Sequence, residues 1–125
     1  LSIETILGAV FTPLAWAMGI EWRDCPTVGS LLGQKIVLTE FIAYQELGVL
    51  LNDEEAPGLS ARSGQIAAYA LCGFANFASI AIQIGGFSVI APSRRADFVT
   101  LGFKAMTGGA LASWMTASIA GLFIA

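Results

Sequence analysis

The chain has 125 residues, of which 56% are hydrophobic and only 12% charged. A soluble domain carries about 25% charged residues, and a chain this short buries too little of itself to do without them. The mean hydropathy of +0.75 therefore points to lipid as the solvent for much of the surface, and the net charge of -3 argues against a nucleic-acid partner. There is no histidine, and Cys25 and Cys72 do not form a close pair. A zinc site and a Cys-His nucleophile are thereby excluded. Cys25 sits in a polar connector and Cys72 in an apolar run, so no disulfide is expected between them. Leu1 is preceded by neither Met nor a basic flank, so the opening does not read as a signal peptide. The sequence is expected to be part of a longer protein.

The first apolar stretch runs over residues 1–20. Pro13 disfavours helical geometry at Thr12 and removes one hydrogen bond, which predicts a kink or a break in an interfacial or kinked helix. Residues 21–26 form a polar connector, and Trp16 and Trp22 suit a membrane interface.

The second stretch, 27–51, has the length of a span but carries Lys35, Glu40 and Glu46. An internal charge on an isolated spanning helix costs roughly 2.5–3.5 kcal/mol. Two half-length helices, 27–38 and 40–51, meeting at Thr39-Glu40 fit better, as a re-entrant hairpin with its tip buried in protein. Thr39 is expected to cap the second half-helix, with Glu40 as a favourable first-turn acid. A soluble helix start would need no more than that. A carboxylate deep in an apolar stretch points to function, with Lys35, a coupling cation or a ligand hydroxyl as its partner. Lys35 has the alternative of snorkelling outward. Glu46 is placed near the outer end.

After a polar loop at 52–63 comes the third stretch, 64–92, longer than a simple span and so expected to tilt or break. Gln65, Tyr69, Cys72, Asn76, Ser79 and Gln83 recur at spacings of three and four, which on a continuous helix gives one polar face. Single members of such a stripe commonly do no more than bond a neighbouring helix. As a set they suggest a lined pathway, and Asn76 with Ser79 suits a hydroxylated ligand such as a sugar. The fourth stretch, 96–125, reads as a spanning helix with small residues at Gly109, Ser113, Ala117 and Gly121, open to close approach by another helix. Arg94 and Arg95, with Lys104 nearby, mark the preceding connector as cytoplasmic. The loop at Asp53 to Glu55 then lies outside.

The fold expected from this pattern is an all-α integral membrane protein: a re-entrant hairpin, a broken transmembrane helix and a final transmembrane helix, as in an inverted-repeat transporter with its site near the midplane. The residues alone point to cation-coupled transport of a polar solute. They leave open an intramembrane hydrolase using a Ser-Lys pair from Ser79, Ser113, Lys35 and Lys104, and a structural or channel subunit. No oxyanion-hole motif supports the hydrolase.

Thr39-Glu40-Phe41-Ile42-Ala43-Tyr44 resembles the Asn-Glu-Phe-Val-Ala-Tyr motif of concentrative nucleoside transporters. The run from Ala70 to Ile80 resembles that family's signature, continued by Gly85-Gly86 and Ala91 to Arg95. The resemblance extends over essentially the whole chain. It implies nucleoside uptake coupled to sodium or protons by a homotrimer in the plasma membrane, with no enzymatic step and no cofactor beyond the coupling ion. Glu40, Asn76 and Ser79 would hold the ribose, and Phe74 would lie by the base. The other hairpin, which reads the base, and the helix completing the sodium site would lie upstream. Thr39 departs from the family's Asn and offers fewer donors. The short loop at 52–63 suits a bacterial inner-membrane member.

Overall fold

The computed structural model describes residues 3–52 and 58–124. The acidic loop Asp53 to Glu55, expected on the outer side, lies outside the described residues. The described residues form α1 (Ile3–Ala17), α2 (Cys25–Val37), α3 (Glu40–Asn52), α4 (Ala61–Leu71), α5 (Phe77–Ile90) and α6 (Arg95–Phe123), the last preceded by a 3-10 turn, Pro92–Arg94. No strand occurs among them. α1 lies along α2 in the most extensive contact of the chain, α4 packs on α6, and α3 bridges α2 and α4.

Of the kink or break expected at Pro13, the break does not occur. α1 stays helical through it, because packing on α2 outweighs a single lost hydrogen bond. That packing is close: a Cβ built on Gly29 would lie 2.6 Å from the Gly8 carbonyl oxygen and 2.9 Å from the Thr12 nitrogen. Gly33, one turn later, meets the Leu7 side chain in the same way. The glycines of α2 therefore set the distance between the two helices. α2 begins at Cys25 with Pro26 in its first turn, where a missing N–H leaves nothing unpaired.

The third apolar stretch is two helices. Ser60 caps α4, accepting from the Ser63 N–H at 3.2 Å. Cys72, at φ -72 and ψ 50, turns the chain out of the helix, and α5 starts only after Asn76. The single polar face expected over 65–83 is accordingly split. Its spacing argument requires an unbroken helix, and Gln65, Tyr69, Cys72 and Gln83 are exposed while Asn76 is buried.

The core lies between α2 and α4, with Val28, Leu31, Leu32, Ile66 and Leu71 fully enclosed beside Ala15 of α1 and Ala117 of α6. The small residues of α6 meet the broken helix. Gly121 faces Ile66, Ser113 faces Gly73, and Gly109 faces Ala75. α5 buries no residue and leaves Ile82, Val89 and Ile90 open. Among the described residues no helix is both long and apolar enough to cross a membrane by itself. α5 has 14 residues, and the 29 residues of α6 are diluted by Gly, Ser and Thr.

Candidate functional site

The site is built where two helices stop. α2 ends at Val37, Leu38 after it adopts φ -99 and ψ -103, and α3 begins at Glu40. On the other side, α4 ends at Leu71 and residues 72–76 run without helix to α5. Helix ends expose unpaired N–H and C=O groups, so this region concentrates backbone polarity inside an apolar protein.

Asn76 is the joint between the two breaks. It is 1% exposed and extended, at φ -144 and ψ 168. Its Oδ1 accepts from the Ser79 N–H at 2.7 Å and so caps α5. Its Nδ2 donates to Glu40 Oε2 at 2.6 Å. A single amide thus uses its acceptor on its own helix and its donor on the first residue of α3, 36 residues away. Hydrogen bonds to a charged partner contribute about 1.5–3 kcal/mol, more than a neutral pair on an exposed surface.

Glu40 and Ser79 are half-buried beside this joint. Phe74 is 75% exposed, and with Ser79 and Gln83 it lines a cavity of about 420 Å³ between α5 and α6. Phe87, Phe98 and Met106 supply its apolar wall. Glu40, Asn76 and the Ser79 N–H are therefore linked by hydrogen bonds, and Ser79 with Phe74 lines an adjoining concave, largely apolar space that Glu40 and Asn76 do not line. That combination, a few convergent polar groups against an apolar wall, is the usual form of a small-molecule site.

Thr39 differs from expectation. It borders the cluster, but the Thr39 hydroxyl makes no hydrogen bond among the described residues. Its carbonyl accepts from the Ala43 N–H at 3.4 Å. The first turn of α3 has the carboxylate of Glu40 near its N–H groups instead, and a negative charge there is favourable.

Lys35 differs more. It does not snorkel to the outside. It is fully enclosed, and Nζ donates to the Ala70 carbonyl at 3.1 Å. Among the described residues no hydrogen bond joins Ser79 or Ser113 to a lysine amine: Ser113 and Lys35 both pack on Gly73, but Ser113 donates to Gly109 and Lys35 to Ala70, and Lys104 is exposed. The geometry gives the Ser-Lys hydrolase no support.

Two other residues that the sequence did not single out hold the frame. Tyr44 donates to the Ala68 carbonyl at 2.6 Å and ties α3 to α4. Arg62 donates to carbonyls at three places, Gly19 after α1, Gly121 at 2.8 Å and Ile124 at 3.2 Å at the end of α6. An uncommon cation at the start of an otherwise apolar helix was the only sequence signal for Arg62. Cys25 and Cys72 are both free.

Three comparisons bear on this arrangement. The family model described as the C-terminus of Na+-dependent nucleoside transporters matches residues 1–121. An uncharacterised transporter of Bacillus subtilis, YutK, is 46% identical over 98% of this chain and 29% of its own length. The sodium/nucleoside cotransporter 1 of Mus musculus is 43% identical over 98% of this chain and 20% of its own length. Among solved structures, CNTnw in an inward-facing substrate-bound state is similar at a TM-score of 0.93, with 49% identity over 98% of this chain and 30% of that one. An outward-facing variant of CNTnw is similar at a TM-score of 0.94, with 48% identity over 99% of this chain and 30% of that one. The chain spans less than a third of the length of these relatives.

Proposed function

The chain belongs to the sodium-dependent nucleoside transporter family, whose C-terminal region it matches, and from that premise we propose that it supplies the ribose-binding half of a nucleoside:cation symport site. The observation that carries this reading is the pair of bonds made by Asn76, one to Glu40 on the hairpin and one to the Ser79 N–H on the broken helix. A sugar offers vicinal hydroxyls that donate and accept at once. A carboxylate, an amide and a hydroxyl within one cluster match that chemistry. Phe74 at the mouth of the adjoining cavity offers a flat apolar face to the base, and Thr39 borders the same cluster from the hairpin.

Residues 27–51 act in this reading as a re-entrant hairpin, 64–92 as the broken helix and 96–125 as a membrane helix, with 1–20 at the interface. The exposed apolar face of α5 is then covered by lipid or by the upstream part of the protein. The whole protein is multi-pass, homotrimeric and placed in the plasma membrane, a bacterial inner membrane by the shortness of its 52–63 loop. Sodium or a proton drives uptake. Arg94 and Arg95 lie on its cytoplasmic side. The close likeness to both an outward-facing and an inward-facing structure supports movement of this region as one body, with the site changing its exposure rather than its shape.

The test uses the full-length transporter in proteoliposomes with a cation gradient. Glu40→Gln, Asn76→Ala and Ser79→Ala are each expected to raise the KM for uridine by about tenfold or more, since 1.4 kcal/mol corresponds to a factor of ten. Unchanged uptake and affinity in all three would sink the assignment.

A further inference from the structure

Lys35 is the largest fully buried side chain among the described residues. A buried ammonium costs several kcal/mol unless polar groups compensate it. What compensates Lys35 is specific. Its Nζ donates to Ala70, in the last turn of α4. That helix ends one residue later; the Tyr69 and Leu71 carbonyls accept from the Cys72 and Gly73 N–H groups, while the Ala70 carbonyl is left to Lys35 at the negative end of the helix dipole. The linker beyond it packs on the amine, for a Cβ at Gly73 would lie 3.5 Å from Nζ, and Ser113 of α6 touches the same point.

Of the titratable groups, Glu40 and Cys72 are close enough to act on Lys35 electrostatically. Glu40 forms no direct ion pair with it: its carboxylate bonds Asn76 instead. Tyr44, the remaining titratable side chain nearby on α3, is committed to Ala68. The ammonium thus touches the broken end of α4 and feels the carboxylate of Glu40 without bonding it, in an interior where charges act more strongly than in water.

We propose that Lys35 is a positioning residue for the sugar site. It is a resident cation, distinct from any coupling ion, that holds the cut end of α4 against the hairpin and balances the charge of Glu40. The proposal rests on the reading of Glu40 and Asn76 as ligand-binding residues. With Lys35 in place, the Glu40–Asn76 bond keeps its geometry while the pocket is empty. Without it, neither the Glu40 carboxylate nor the Ala70 carbonyl has a lysine to offset its negative charge. A side chain that merely filled space would be replaced without loss by methionine, which has nearly the same length and no charge.

The experiment compares full-length wild type, Lys35→Met, Glu40→Gln and the double variant, reading uridine uptake in proteoliposomes and Tm in detergent. Lys35→Met is expected to raise KM about tenfold or more with a smaller change in Vmax, and to lower Tm. Adding Glu40→Gln removes the unbalanced charge and is expected to restore Tm, or the yield of folded protein where Lys35→Met alone fails to fold, without restoring uptake. An unchanged KM in Lys35→Met, or a double variant no more stable than Lys35→Met, overturns the proposal. Absence of saturable uptake in wild type would instead remove the nucleoside reading, and the Tm comparison would still decide whether Lys35 balances Glu40.

Discussion

Asn76 has two separable duties, and substitutions can tell them apart. As an N-cap it satisfies a backbone N–H of α5, worth about 0.5–2 kcal/mol. As a donor it fixes Glu40. Serine is a good cap but is too short to reach the carboxylate. Asn76→Ser and Asn76→Ala both lose the Glu40 bond, so both are expected to lower Tm in thermal unfolding of the full-length protein, and Asn76→Ala loses about 1 kcal/mol more than Asn76→Ser because it also loses the cap. Both are expected to lose uridine affinity alike. A fall in affinity that tracked Tm across the two variants would make Asn76 a structural cap only. The sequence made Asn76 visible through its place in a family-like run and in a polar spacing. That spacing was misleading in detail, because it assumed the helix that Cys72 ends.

Between elements, the decisive contacts are backbone to backbone. α1 and α2 approach so closely at Gly29 that a methyl group has no room, and the atoms it would meet belong to the Gly8 and Thr12 backbones, which cannot swing aside. Overpacking of this kind costs about 1–3 kcal/mol. Gly48 in α3 faces open space, where alanine favours a helix by roughly 0.5–1 kcal/mol. Gly29→Ala is expected to lower Tm and Gly48→Ala to leave it unchanged or raise it. Equal effects on Tm would contradict the packing described for α1 and α2. Nothing in the sequence distinguishes these glycines, since each lies within an apolar helical run. Pro13 shows the converse: its local rule allowed a break, and α1, packed on α2, continues through it.

Across the molecule, charged side chains tie distant helix ends together. Arg62 gathers the ends of α1 and α6 at the start of α4. Asp24, in the polar connector before α2, accepts from the Ser60 N–H at 3.1 Å and is flanked by Arg23 at 3.3 Å. Burial alone would raise the Asp24 carboxyl; hydrogen bonds from Ser63 and Ser60, with Arg23 beside it, outweigh burial and hold it below the ordinary aspartate range. A carboxyl whose pKa falls on folding stabilises the folded state fully above its unfolded pKa, about 3.9. That stabilisation is lost as pH falls through the lower folded value. Asp24→Asn is expected to lower Tm at about pH 6, with the gap to wild type closing below about pH 4. A gap that stayed constant down to acidic pH would show that the carboxylate charge contributes nothing.

The sequence by itself determined that the chain is helical, apolar and interrupted. Composition fixes the solvent it prefers, and the motifs around Glu40 and from Ala70 to Ile80 fix the family. Those are local properties, legible wherever a short run of residues carries its own chemistry. The tertiary structure alone decided which interruptions meet. The bond from Asn76 to Glu40 spans 36 residues and that from Lys35 to Ala70 spans 35, and no periodicity encodes a pairing at that separation. It also decided the direction of Lys35. A lysine in an apolar run has two low-energy choices, snorkelling out or meeting a partner inside, and only the broken end of α4 supplied the carbonyl that made the second possible.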